Sequence, residues 1–258
     1  MGMGPVRIGA LALGCLAAAQ TGVSARPLAA IRESGTLRVG LTGDYAPYAI
    51  RRGEGAMTGA DVKMAHDLAR SLGVALEIVP TTWKSLRDDL LADRYDIAMG
   101  GVSVTPDRAA VADFSLPVTQ DGKRPIVRCA DAQRFVSLDA INRPEVRVVV
   151  NPGGTNERFA TAHVRGAAVR VHPDNRTIFE EVAEGRADLM ITDGAEVDYQ
   201  SRRHKGVLCP AAVPSPFDRA DKAYWMTRDP ALKAAVDGWL QPVLTSGAYA
   251  KALAAAAE

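Results

Sequence analysis

The sequence predicts an α/β fold in two lobes of unequal size. Strand-like and helix-like patterns alternate along the chain, which is the signature of sheets covered by helices. Two such series are visible, the second beginning after Lys123, and the chain shows no internal repeat, low-complexity segment or long linker between them. With 258 residues, 47% hydrophobic and 24% charged, the chain has the composition of a globular protein with a real core.

In the first series, Leu37, Val39 and Leu41 alternate in a strand that ends at Thr42-Gly43-Asp44. Val62, Ala65, Leu68 and Leu72 share one helical face, with Asp61 at the N-terminal end and Gly73 as the stop. Val74, Leu76 and Ile78 form the next strand, Leu86, Leu90 and Leu91 a short helix, and Asp96–Met99 a further strand. In the second series Val146–Val150 is a buried strand, Asn151-Pro152-Gly153-Gly154-Thr155 a turn, and Glu157–Ala162 the start of a helix. Val169–Val171 is a strand, Asp174 or Asn175 caps a helix that runs through Glu184 to Gly185, and Ala187–Thr192 is a strand. Asp193 is placed to cap a helix over 194–203. Asp229-Pro230 opens a last helix with Leu232, Val236, Trp239 and Leu240 turned inward. The chain is expected to cross between lobes near Gly122–Arg124 and Pro214–Phe217. That assigns residues 26–123 and 216–258 to the first lobe and 124–215 to the second.

The first 25 residues form a separate unit. Arg7 precedes an apolar run from Ile8 to Ala19, and Val23-Ser24-Ala25 fits the small-x-small site of a signal peptidase. The run is shorter than the ~20 apolar residues of a spanning helix. Cys15 lacks the leucine three residues earlier that a lipid-attachment site carries. A cleaved export signal, a periplasmic location and no membrane attachment after cleavage are the expectations. Arg7 is the leader's one charge, so the remainder carries 30 residues of each sign and no net charge, unlike a nucleic-acid binder.

Cleavage leaves Cys129 and Cys209. In an oxidising compartment a disulfide is the expectation, with two separate buried thiols as the alternative. His66, His163, His172 and His204 show no metal-ligand spacing with one another or with a cysteine, so no metal is expected. A Gly-x-Ser-x-Gly elbow is absent, which argues against a serine hydrolase.

Several phrases now coincide: Gly35–Gly40 leading to Asp44-Tyr45-Ala46-Pro47-Tyr48, Gly59-Ala60-Asp61-Val62, Tyr95 through Arg108, and Ala187 through Asp193. Their order resembles the periplasmic solute-binding proteins for polar amino acids over residues 30–250. That resemblance implies the type II periplasmic-binding-protein fold, two α/β lobes joined by two crossovers with a ligand cleft between them. Within this group, Thr42–Tyr45, Pro80–Trp83, Asp121–Lys123, Asn151–Glu157 and Val171–Asn175 are similar to the exported cyclohexadienyl dehydratases, which also carry cysteines near positions 129 and 209.

The resemblance implies decarboxylating dehydration of prephenate to phenylpyruvate and of L-arogenate to L-phenylalanine, with no cofactor. It marks Glu196 as the general acid and Lys123 as a group that holds a substrate carboxylate or orients the acid. Arg108, with Ser103 and Thr105 beside it, is suited to clamp a carboxylate. Asp193 would pair with an ammonium group, and Tyr45 and Trp83 would wall a ring. Asn151, Gly154 and Thr155 belong to a Gly-Gly turn whose backbone N–H groups can receive an anion. On sequence alone, without the resemblance, the stronger reading of Glu196 is a solvated acid in the first turn of a helix. The competing function is a plain amino-acid-binding protein that serves a transporter.

Overall fold

Leu37, Val39 and Leu41 are fully buried on strand Thr36–Leu41, while Thr36 and Arg38 face the other way, partly exposed. This strand lies second in a five-stranded sheet of order Ala75–Pro80, Thr36–Leu41, Ile97–Ala98, Trp225–Met226, Asp113–Phe114. The first three strands are parallel, and Trp225–Met226 runs antiparallel to both its neighbours. Helix Ala60–Leu72 packs on it through Val62, Ala65 and Leu68 and ends at Gly73, which is left-handed and donates back to the Ala69 and Arg70 carbonyls. Leu232, Val236 and Leu240 of helix Pro230–Thr245 close the same core, with Trp239 only partly buried at its edge.

The computed structural model describes residues 1–2, 26–53 and 55–258, so Arg7, Cys15 and the rest of the expected leader beyond residue 2 lie outside the described residues. Among the described residues no helix is long and apolar enough to cross a membrane.

The second sheet runs Ala168–Val171, Arg147–Val150, Leu189–Asp193, Lys123–Arg128, Leu208–Pro210. Val148 and Val150 face Phe135, Ile141 and Phe159, whereas Val149 faces Ile178, Phe179 and Val197. Both faces are covered, which accounts for the unbroken valine run at 148–150; Arg147, at the start of the strand, is exposed. Cys129 and Cys209 are joined, with Cα atoms 4.7 Å apart, at the end of strand Lys123–Arg128 remote from Lys123.

Two connections join the lobes. Strand Thr119–Asp121 of one pairs antiparallel with Ala220–Lys222 of the other. Gly122 sits where they pass, and any Cβ there would overlap the Asp218 carbonyl. Lys123 already belongs to the second sheet, one residue ahead of the expected boundary.

Three local expectations differ. The helix after Val171 spans Ile178–Ala183 instead of starting at Asp174, because Asp174 accepts the Arg176 N–H (2.9 Å) and closes a turn through Thr177. Helix Thr155–His163 begins two residues before Glu157. A small sheet of Asp44–Tyr45, Ala49–Arg51 and Met57–Thr58 was not apparent in the pattern, and it presents Asp44 and Tyr45 to the cleft.

Candidate active site

The site forms where the C-terminal ends of strands from both sheets meet the crossovers. A cavity of about 20 Å³ lies between the lobes, room for little more than a water molecule and far below the ~300–1,000 Å³ usual for ligand pockets, so the cleft is closed down on its own side chains. Tyr45, Trp83 and Ser103 of the first lobe line it, as do Asn151, Gly154, Thr155 and Asp193 of the second. Arg108, Thr105, Lys123 and Glu196 stand behind this wall. Lys222, Asn156 and Asn175 line it as well, and sequence reasoning did not select them.

Asp193 ends strand Leu189–Asp193 and is the hub. Lys123 Nζ donates to Oδ1 (2.8 Å), Lys222 Nζ to Oδ2 (2.6 Å), and the Tyr45 hydroxyl also to Oδ2. Burial alone would raise this carboxyl, but the charges of Lys123 and Lys222 outweigh it and hold it well below the ordinary range. The acid expected to receive an ammonium therefore already has two from the chain itself. Lys123 also donates to Thr155 Oγ1 (2.9 Å) and to Asn156 Oδ1, so it ties the strand end to helix Thr155–His163.

Glu196 lies in the first turn of helix Gly194–Arg203. The helix start is capped by Asp121, whose carboxylate accepts the Gly194 (2.9 Å) and Ala195 (3.0 Å) N–H groups. Glu196 points inward and is fully buried. Its Oε2 accepts the Thr192 hydroxyl (2.6 Å), and Oε1 faces Asn175 Nδ2 at 3.5 Å. Burial is the main cause that pushes its carboxyl up to about 8; the Thr192 hydrogen bond opposes this, the Asp44 and Asp193 charges add to it, and Lys123 subtracts. At neutral pH the group keeps its proton. Thr192 also accepts from Asn156 Nδ2 (3.0 Å), which in turn donates to Asn151 Oδ1 (2.9 Å). A continuous chain of polar contacts thus runs from Lys123 through Asn156 and Thr192 to the acid.

Asn175 is held by the turn that displaced the expected helix start. Its Nδ2 donates across the cleft to the Asp44 carbonyl (2.9 Å), and its buried Oδ1 has no hydrogen-bond partner among the described residues. The Asp44 side chain accepts the Trp83 indole N–H (3.0 Å) and sets that ring edge-on to Tyr45 at 5.5 Å.

Arg108 is buried, donates to the Ser103 carbonyl (2.8 Å) and lies 6.0 Å over the Trp225 ring. Burial and the Arg158 charge bring its pKa down to about 10. The Thr105 hydroxyl caps the Arg108 N–H, so it supports the arginine rather than facing the cavity. In the Gly-Gly turn, Gly153 is left-handed (φ 78°) and packs against the Lys84 backbone, a place where a Cβ cannot fit. Its N–H is taken by the Glu157 carboxylate, so the turn is narrower as an anion site than the sequence suggested. Among the described residues no group of three or more His, Cys, Asp or Glu is placed to hold a metal ion.

Comparison with known proteins fits this geometry. The chain is 48% identical over 235 residues to the cyclohexadienyl dehydratase of Pseudomonas aeruginosa, a match that covers 91% of this chain and 87% of that protein. Its structure is similar to an ancestral amino-acid-binding protein, a precursor of cyclohexadienyl dehydratase, with a TM-score of 0.80 at 33% identity, covering 90% of this chain and 99% of that one. An ancestral cyclohexadienyl dehydratase matches at 50% identity and a TM-score of 0.53, covering 88% and 95%. Residues 37–255 match the model of the bacterial extracellular solute-binding proteins, family 3, and the chain belongs to that family.

Proposed function

We propose that this chain is a cyclohexadienyl dehydratase that acts on prephenate and L-arogenate. Glu196 carries the reading: a fully buried carboxyl whose pKa is lifted to about 8 behind the interlobe cleft is a proton donor at neutral pH.

Both substrates are cyclohexadienes with a ring hydroxyl and a ring carboxylate. Glu196 gives its proton to the hydroxyl oxygen, and the C–O bond breaks to release water. The bond from ring to carboxylate breaks in the same event, its electron pair enters the ring, and carbon dioxide departs. Aromatisation supplies the driving force, and Glu196 is left as a carboxylate that regains its proton from solvent after product release. Thr192 and Asn156 orient the acid, and Asn175 Oδ1 accepts a hydrogen bond from the hydroxyl, whose hydrogen leaves with the water. Asn175 stands between Glu196 and the cavity, so its movement off the Asp44 carbonyl as substrate enters brings the acid into reach; such contacts commonly tighten only in the substrate complex. Arg108 and Lys123 supply the positive field for the carboxylates, while Tyr45 and Trp83 flank the ring. The protein acts in the periplasm after removal of its leader.

Glu196→Gln keeps size and polarity but not the proton. Turnover of both substrates should fall roughly 10²-fold or more, with far less change in substrate affinity. Near-full kcat in this variant would place the acid elsewhere. If the wild-type protein converts neither cyclohexadiene but binds an amino acid, the transporter-type reading replaces this one.

A further inference from the structure

Among the described residues Asp193 is the only carboxylate that lines the cavity, so an ammonium-bearing ligand has one acid there to seek. That acid is not free. Lys222 comes from the first lobe, on strand Ala220–Lys222 beside the crossover, and reaches over the cleft to Asp193 Oδ2 (2.6 Å) and to Ser103 Oγ (2.8 Å). It is 1% exposed, while Lys123 holds the other carboxylate oxygen from the opposite side.

We propose that Lys222 is a specificity-determining residue: its ammonium takes the place on Asp193 that a substrate ammonium would need and fits the cleft to a 2-keto acid. The inference rests on the dehydratase reading and sharpens its substrate class. A lysine ammonium has three donors and no acceptor. Two of those donors are well used, on Asp193 and Ser103, and the third reaches the Tyr45 hydroxyl only at 3.4 Å. That third proton can turn to a keto oxygen, which accepts. An amino group, protonated and donor-only, offers it nothing and places like charge beside like charge, which is unfavourable where water is excluded. Prephenate has the keto group; arogenate has the ammonium and must push Lys222 aside. The same contact spans the two lobes, so the cleft closes on its own lysine without an ammonium from the ligand.

The test compares Lys222→Ala and Lys222→Gln with the wild-type protein in two assays. The first is kcat/KM for prephenate and for arogenate; the second is calorimetric binding of phenylpyruvate and of L-phenylalanine, a pair that differs only in keto against amino. Both variants should move the arogenate-to-prephenate ratio up by roughly tenfold or more, and should move binding toward L-phenylalanine in the same sense. Methylammonium added to Lys222→Ala should fill the vacated place and return the ratio toward the wild-type value. Lys222→Gln keeps a donor without the charge and covers the case in which truncation unfolds the lobe. Unchanged ratios in both assays, with the two substrates losing equally, would overturn the proposal. Absence of turnover in the wild-type protein would instead strike at the dehydratase reading, and the binding pair would still report on Lys222.

Discussion

At the scale of single residues, the proton on Glu196 has consequences for stability as well as rate. Its carboxyl is raised from 4.5 to about 8 in the fold. The folded protein therefore binds that proton more tightly than the unfolded chain does. Its contribution is complete below about pH 4.5 and is lost as pH rises through 8, at up to ~1.4 kcal/mol per pH unit. Glu196→Gln removes the dependence, so the stability of this variant relative to wild type should rise between about pH 5 and pH 8, as measured by denaturant unfolding. Activity should show the matching limb, with the wild-type rate falling as pH rises through about 8. Two neighbours should move that limb in opposite directions. Asp44 raises the Glu196 pKa by its charge, so Asp44→Asn should shift the limb to lower pH. The Thr192 hydroxyl lowers it, so Thr192→Val should shift it to higher pH. A pH–rate profile of each variant checks both signs, and shifts of the same sign would contradict the assigned causes.

At the scale of elements, strand Lys123–Arg128 separates chemistry from reinforcement. Lys123 meets Asp193 at one end, and Cys129 follows the other end, about 20 Å away at the usual rise per residue. The disulfide closes a separation of 80 residues within the second lobe. Its removal by Cys129→Ser with Cys209→Ser should lower stability by ~2–4 kcal/mol and leave kcat within about twofold. Urea unfolding and steady-state kinetics on the same sample test the separation. The longer elements were legible because their patterns are long or unbroken: helix Ala60–Leu72 follows its apolar stripe and its glycine stop, and the valines at 148–150 marked a buried strand. Two-residue strands carry no periodicity, which hid the small sheet that presents Asp44. Asp174 mimicked a helix cap because an Asx turn and an N-cap use the same side-chain oxygen. Glu196 and Lys123 were nameable from flanking motifs, but Lys222 sits in a short strand among ordinary residues. Only the fold brings it from the far crossover to an aspartate 29 positions away.

At the scale of the whole molecule, charge is balanced overall yet concentrated locally. Positions 26–258 carry equal numbers of each sign, so little long-range field draws an anion in, while Lys123, Lys222 and Arg108 gather around the cleft. The value of kcat/KM for prephenate should therefore change less than about threefold between roughly 0.05 and 0.5 M salt, because buried pairs are screened far less than exposed ones. A steep decline with salt, read by steady-state kinetics at constant pH, would show that surface steering governs entry. The order of strands has a further outcome. Trp225–Met226 lies inside the first sheet, between Ile97–Ala98 and Asp113–Phe114, whereas every strand of the second sheet falls between Lys123 and Pro210. As the chain emerges from its N-terminus, the second lobe has all its strands in hand first. The first lobe must hold its opening hundred residues unfinished until nearly the whole polypeptide is present, since pairings this distant in sequence form slowly. Nascent chains keep that half pliable for longest, a condition favourable to passage through a narrow translocation channel before folding.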